Sequence, residues 1–352
     1  MTTEQSTEQP TEQPTEQPTE QPTEQPTGQP TGPTSPTVTV VSGGVGAARF
    51  LSGLRDAIDP TQITAVVNTG DDTVLHGLSI SPDLDTITYT LAGATDPVRG
   101  WGLVDETWTA MGALERYEAV RPAGSAAATR WFNLGDQDLA THFYRTARLA
   151  EGASLTEVTE EIQAAWGLPI RLLPMSDDRR TTIVTTADHG DVSFQDYFVR
   201  LRHDVVTTAV RFQGPAALTQ AARSALVDAD IVVIAPSNPL VSIAPIRSLD
   251  GVDDLLGARR DSVVAVSPIV GGEALKGPAA RMLTELGHEA SVVGVARLYA
   301  SIATALVIDP VDAHLADAIV AQGMECIVTP SIMSSPEIAR ELAATTLNAV
   351  HN

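Results

Sequence analysis

The sequence predicts an α/β fold with a mostly parallel sheet covered by helices on both faces, on three observations. Short runs such as Thr37–Val41, Ile63–Val67 and Asp230–Ala235 are apolar or threonine at almost every position, as in strands buried on both sides. Segments with apolar residues at helical spacing separate these runs, so strand and helix alternate. Glycine, asparagine, serine and aspartate cluster directly after the runs, where an open α/β sheet carries its ligands. The architecture expected is Rossmann-like, with an inserted helical cap at about 97–170.

Residues 1–36 precede the globular texture. Thr-Glu-Gln-Pro repeats five times over 7–26, and one Thr-Gly-Gln-Pro unit follows before Pro33 and Pro36. No unit carries a large apolar side chain, so nothing offsets the entropy of ordering it. Proline at every fourth position also disfavours helix. A disordered, solubilising tail without chemistry is expected, followed by one domain over 37–352. That domain opens with a strand at Thr37–Val41, a glycine loop and a helix at Ala47–Ala57. A second strand, Ile63–Val67, ends at Asn68. The middle, about 97–170, shows three or four helical patterns and hardly a strand, which makes it a cap over the sheet. Residues 181–212 are rich in Thr, Val and Phe and read as antiparallel strands. Further strands are expected at Asp230–Ala235, Ser262–Val266 and Leu306–Ile308, with helices at 217–229, 277–287, 312–322 and 335–350.

Composition removes several function classes. Acidic residues number 44 and basic residues 22, a formal charge of −22. The tail's glutamates account for little of it, so the body remains acidic and is a poor match for a nucleic-acid backbone. The single cysteine, Cys326, permits neither a disulfide nor a cysteine zinc site within one chain. No apolar run approaches the roughly 20 residues that span a bilayer, and the first residues are not signal-like, so a soluble cytoplasmic protein is expected. Lys276 is the sole lysine, which fits GC-rich coding or salt adaptation equally well.

The loop after the first strand is Ser42-Gly43-Gly44-Val45-Gly46-Ala47-Ala48-Arg49. Glycines let backbone N–H groups approach an anion closely, and the helix that follows presents its positive end. A plain tight turn is the competing reading. The loop is not GxxxxGK[ST], and it has Arg49 where a dinucleotide fingerprint has its third glycine or alanine. Asn68 stands where that fingerprint wants an acid, so kinase and dehydrogenase readings are both poor. Asn68-Thr69-Gly70-Asp71-Asp72 ends the second strand, and Ser81-Pro82-Asp83-Leu84-Asp85-Thr86 follows. Four carboxylates so close together suit a hard cation such as Mg²⁺, which takes one or two of them directly. The others then cap helices or bind hydroxyls, Asp83 being placed for a cap. Asp136 and Asp138 read as first-turn acids of a helix, and His142 one turn on as a structural histidine. Met175-Ser176-Asp177-Asp178 is a further polar loop. Ala235-Pro236-Ser237-Asn238-Pro239 and Ser267-Pro268-Ile269-Val270-Gly271-Gly272 each follow a strand and carry the small polar groups a nucleotide needs, although their prolines suit ordinary turns equally.

Seven of these segments, SGGVGAARFL, NTGDD, SPDLDT, LGDQDLATH, LLPMSDD, APSNPLVSI and SPIVGG, resemble in this order the 2-phospho-lactate transferases of coenzyme F-420 biosynthesis. The resemblance (to CofD and its actinobacterial form FbiA) runs from about Val38 to the C-terminus. It implies a Mg²⁺-dependent transfer of a phosphoenolpyruvyl or 2-phospholactyl group from a guanosine-diphosphate-linked donor. The implied acceptor is the ribityl hydroxyl of the deazaflavin Fo, and GMP leaves. By the same analogy Asp72 and Asp85 hold Mg²⁺ with Asp71 assisting, and Asp85 and Asn133 contact Fo. Gly43, Gly44, Gly46, Ser237, Asn238, Gly271 and Gly272 then hold the nucleotide, and Arg49 meets either a phosphate or solvent. The family often has a basic residue where this chain has Asn133. The resemblance further implies a homodimer and, from the actinobacterial form of the glycine motif, the enolpyruvyl donor. The alternative is a non-enzymatic nucleotide-sugar-binding regulator; a dinucleotide-dependent oxidoreductase is disfavoured by the failed fingerprint. Because the tail carries no core residues, deleting residues 1–35 should leave turnover and melting temperature nearly unchanged; a large loss of either would show that the tail packs on the body or recruits a partner.

Overall fold

The computed structural model describes Thr2, residues 35–275 and residues 277–350. Nearly all of the repeat tail expected at 1–36 therefore lies outside the described residues. The first predicted strand forms as β1 (Val38–Ser42), but α1 (Gly44–Ala57) begins three residues before the expected helix start. What reads as a glycine loop is thus the first turn of α1, entered through Gly43 in extended conformation and Gly44 at φ 70°. The chain continues through β2 (Ile63–Val67), the hairpin β3 (Thr73–Leu75) and β4 (Leu78–Ile80), and α2 (Pro82–Leu91). Between 97 and 170 come α3 (Thr109–Glu118), α4 (Asp138–Ala150) and α5 (Leu155–Ala165). A full capping box, Ser154 with Glu157, starts α5.

Next are β5 (Arg171–Pro174), β6 (Thr181–Thr186), β7 (Gly190–Ser193) and β8 (Thr207–Gln213). Then follow α6 (Gln220–Asp228), β9 (Ile231–Ile234), α7 (Ala244–Arg247), α8 (Val252–Ala258) and β10 (Val263–Val266). A small hairpin, β11 (Ile269–Val270) and β12 (Glu273–Ala274), leads to α9 (Ala279–Glu285) and α10 (Val292–Tyr299). The last elements are β13 (Ala305–Ile308), α11 (Ala316–Val320), β14 (Glu325–Val328) and α12 (Pro336–Asn348).

Seven strands form one sheet in the order β14-β13-β10-β9-β1-β2-β5, with every neighbour parallel. The antiparallel expectation for 181–212 is met by β7-β6-β8. From β1 the chain moves outward through β2 to β5, returns to β9 on the other side of β1, and moves outward again. The switch point lies between β1 and β9, where a parallel sheet opens its crevice. Alternate residues of β1 face opposite layers. Val38 and Val40 pack with Phe50, Leu51 and Leu54 of α1 and Leu342 of α12, whereas Val41 packs in the layer of Leu226, Leu256 and Tyr299. Each such side chain, fully buried, contributes about 1.5–3 kcal/mol.

β5, β14 and α10 are absent from the predicted elements. The two strands are short sheet edges that begin with Arg171 and Glu325, and α10 is buried nearly all round, so neither shows its period in the sequence. The helices α1 and α12 approach closely at Gly53, where an added Cβ would lie 2.2 Å from the Ala339 carbonyl oxygen. Gly53→Ala should therefore cost about 1–3 kcal/mol by overpacking. Gly112→Ala on α3, where a Cβ meets open space, should gain up to about 1 kcal/mol. Urea unfolding measures both, and equal shifts would contradict this account of the α1–α12 contact.

Candidate functional site

The crevice at the switch point is drawn together by its two flanking loops. Ser237, after β9, donates its hydroxyl to the Gly43 carbonyl at 2.6 Å, and an added Cβ on Gly46 would lie 2.1 Å from the Pro236 carbonyl oxygen. Of the sequence-predicted nucleotide residues, Gly43, Gly46 and Ser237 are thus in mutual contact. Gly43 also abuts Asp83 and Asn68. Asn238 caps the following turn through Leu240 N at 2.9 Å. Gly271 and Gly272 form the turn of the β11–β12 hairpin, where the Gly271 N–H donates to Asp312 at 2.8 Å. Beside that hairpin, a cleft of about 440 Å³ runs between Glu273, Gly277, Arg281 and residues 202–204. Arg49 is exposed on α1.

Next to this crevice the aspartates after β2 and at the start of α2 come together. The Asn68 amide donates to Asp71 at 2.6 Å and to Asp83 at 2.9 Å, holding two carboxylates with one side chain. Ser81 donates to Asp72 at 2.7 Å. Burial, reinforced by Asp83, pushes Asp71 well above the usual carboxylate range despite the Asn68 bond. Burial pushes Asp72 up to about 8, with Ser81 and Arg145 opposing and Asp85 and Asp83 adding to it. Asp83 rises to about 6 through burial, tempered by Asn68 and the Gly44 N–H. Asp83 therefore does not cap its own helix, whose N-cap is Ser81; it stands in the first turn of α2 and faces the start of α1. Burial outweighs the one guanidinium that acts on Asp72, and oxygens so poorly solvated suit a hard cation.

Asp85 points from the same helix end into a second group that the sequence reading leaves unassembled. Arg145, buried on α4, grips both Asp85 oxygens, one at 3.1 Å. Its Nη1 lies 3.4 Å from His142 Nδ1, which therefore acts as the acceptor and leaves the ring proton on Nε2. That Nε2 is 3.2 Å from Asp138 but off the hydrogen-bond axis, so it is a buried polar atom without an aligned partner. Tyr89 donates to the other Asp138 oxygen at 2.5 Å. Burial tends to raise Asp138, yet His142, Tyr89 and Arg145 together hold it below the usual range. Ligand atoms of Asp85, Asp138 and His142 all lie within 4.8 Å of one another, so these three can hold a metal ion. Asp85 belongs both to this triad and to the sequence-predicted metal set of Asp71, Asp72 and Asp85. The signal for Arg145 and His142 was present: Asp138, His142 and Arg145 fall at i, i+4 and i+7, on one face of α4.

Asp136 does not serve α4. It accepts from Thr107 at 2.5 Å and from Thr109 N and Ala110 N, capping α3, which draws it down to about 2. Glu106, absent from the sequence reading, takes the Gln137 N–H at 2.5 Å at the entrance of α4. Asn133 is exposed on the chain leading into α4, two residues after Trp131. Trp131 lines a cleft of about 800 Å³ with Leu75, Thr129 and three arginines. Arg121, Arg130 and Arg200 are each paired, with Glu118, with Glu115 and Glu118, and with Asp196. The cleft is tied to the acidic crevice by Gln195, which donates to the Asp71 carbonyl at 3.2 Å beside Asp196.

No helix among the described residues is long and apolar enough to cross a membrane. Residues 2–37 match a family model described as PT disordered repeat. A protein of Kitasatospora aureofaciens named phosphoenolpyruvate transferase is 38% identical over 317 residues, 88% of this chain and 96% of that one. One of the same name from Mycobacterium bovis (strain BCG / Pasteur 1173P2) is 40% identical over 326 residues, 87% of this chain and 96% of its own. Among solved structures, a Bacillus halodurans protein of the UPF0052 family shares the fold, with a TM-score of 0.56 at 14% identity, covering 91% of this chain and 100% of that one. The model described as 2-phospho-L-lactate transferase CofD matches residues 38–322, and with these relatives it shows that the chain belongs to the CofD family of transferases.

Proposed function

We propose that the chain transfers a phosphoenolpyruvyl or 2-phospholactyl group from a guanosine-diphosphate-linked donor to the terminal ribityl hydroxyl of Fo. The hydroxyl oxygen bonds to the donor's outer phosphorus, the bond from that phosphorus to the bridging oxygen breaks, and GMP departs with that oxygen. The products are GMP and dehydro-F-420-0, or F-420-0 with the lactyl donor. One observation carries this reading: an acidic crevice at the switch point adjoins a charge-balanced cleft lined by Trp131. Because every arginine of that cleft is paired, it suits an uncharged ring system such as a deazaflavin better than a polyanion. Gly43, Gly44, Gly46, Ser237 and Asn238, with the Gly271–Gly272 turn, form the side on which we seat the guanosine diphosphate.

Asp72 and Asp85, with Asp71 beside them, are the oxygens we assign to Mg²⁺, and Asp138 extends that set. A bound Mg²⁺ would neutralise the diphosphate and polarise the phosphoryl oxygens under attack. Asp85, held by Arg145, and Asn133 orient the acceptor. Substitution of Asp85 is not a clean test, since it leaves a buried arginine without its partner at a cost of about 3–5 kcal/mol. The names of the relatives favour the enolpyruvyl donor. A cytoplasmic homodimer is inferred from the family resemblance alone.

Asp72→Asn separates function from stability. Asp72 has a folded-state value of about 8 against an ordinary 3.8, so its contribution to stability is complete below the ordinary value. It is lost as pH rises towards 8. Without divalent ions the melting temperature should fall across that window. Asp72→Asn should flatten the fall while lowering turnover about 10- to 100-fold. A variant as pH-sensitive as the parent, or as active, would remove Asp72 from the site. For the reaction itself, both donors are supplied at equal concentration with Fo, and the product is weighed by mass spectrometry. The dehydro product should dominate; a product two hydrogens heavier would reverse the donor assignment. Binding of NADH without Fo or GDP would overturn the transferase reading.

A further inference from the structure

Five carboxylates meet at this centre, and one guanidinium faces them from the cap. Arg145 has a side chain only 2% exposed and spans both oxygens of Asp85. It acts electrostatically on Asp72 and Asp138 as well. Its Nε is buried without a partner, and its Nη atoms are held by Asp85, with the Ser79 carbonyl at 3.5 Å and His142 Nδ1 at 3.4 Å beside Nη1. An arginine remains charged at every physiological pH. A buried arginine facing several acids is a fixed positive charge inside the acidic centre.

We propose that Arg145 is a built-in second cation, which limits this centre to one divalent ion where two-metal centres use two. Two ions about 3.5–4 Å apart clamp the attacking and leaving oxygens in such centres. A guanidinium cannot take a water or an oxygen ligand into a coordination shell. It neutralises Asp85 permanently and fixes the orientation in which that carboxylate presents its remaining lone pairs. Asp85 thus shares its carboxylate between Arg145 and the ion, and with Asp71, Asp72 and Asp138 beside it the centre holds a single ion. Arg145 is thus a positioning residue that acts through Asp85. The proposal rests on the reading that the crevice takes a divalent cation, and the experiment tells the two apart.

The probe is Mn²⁺ alone, titrated into the full chain with free Mn²⁺ counted by electron paramagnetic resonance. One ion per chain is expected for the unaltered protein and for Arg145→Lys, which keeps the charge. Two are expected for Arg145→Gln, where the missing charge opens a second position. Two ions on the unaltered protein, or one on both it and a folded Arg145→Gln, would overturn the proposal. No bound ion on any of the three would remove the cation reading itself. If Arg145→Gln unfolds in the absence of metal, its melting in Mn²⁺ decides. Recovery of a cooperative transition supports a charge role, and failure to recover makes Arg145 a purely structural residue.

Discussion

Burial of Asp71, Asp72 and Asp83 in one crevice gathers carboxylates that water does not solvate and that resist ionising, and the surrounding structure is arranged around that constraint. Removing even one carboxylate from water is costly unless it is neutralised or paired. Asn68 spends both amide hydrogens on two of these acids, Ser81 serves a third, and the start of α1 faces Asp83. The fourth, Asp85, is met by Arg145 from the cap. That last pairing does more than balance charge. With Tyr89 bonded to Asp138 and Ser79 N to Thr146, it fastens α4 to α2 and β4. Docking of the cap and assembly of the centre therefore depend on the same few polar contacts.

The glycines fit this picture once their neighbours are known. Gly43 and Gly46 are required by close approach, one to Asp83 and Ser242, the other to the Pro236 backbone. Their contribution is to bring β1 and β9 loops within hydrogen-bonding distance at the switch point. The start of α1, which in many α/β proteins receives a ligand's anion, here faces the protein's own carboxylate at Asp83. A nucleotide seated on this side would draw on the amides and hydroxyls along the crevice more than on the helix end itself.

Fold class was legible because the strands of a doubly covered sheet have no polar face, so β1, β2, β9, β10 and β13 stand out in the sequence as apolar runs. The edge strands β5 and β14 escaped for the converse reason. The site was half legible. Asp71, Asp72 and Asp85 are conspicuous because they cluster within a short stretch, whereas Asp138, His142 and Arg145 lie some 50–60 residues further on. Only the docking of α4 brings them to Asp85, and no local pattern encodes a contact across that separation. His142 read as structural because a single histidine carries no indication of its partners. Asp136 read as a first-turn acid of its own helix, and its true role as a cap for α3 required knowing that Thr107 folds back beside it.

Charge also constrains how a diphosphate could arrive. An anionic donor approaching the bare crevice meets carboxylates, and the guanidinium among them, Arg145, is committed to Asp85, as the arginines of the Trp131 cleft are to glutamate and aspartate. The burial that pushes Asp72 up to about 8 keeps it protonated at neutral pH in the bare crevice. Seating a donor with its ion in the crevice therefore has to overcome that protonation, and releases protons as it does so. The uncharged acceptor faces no such barrier on the side of Trp131. On this reading the acidic centre is a proton-linked metal site: it accepts the nucleotide together with the ion whose charge displaces those protons.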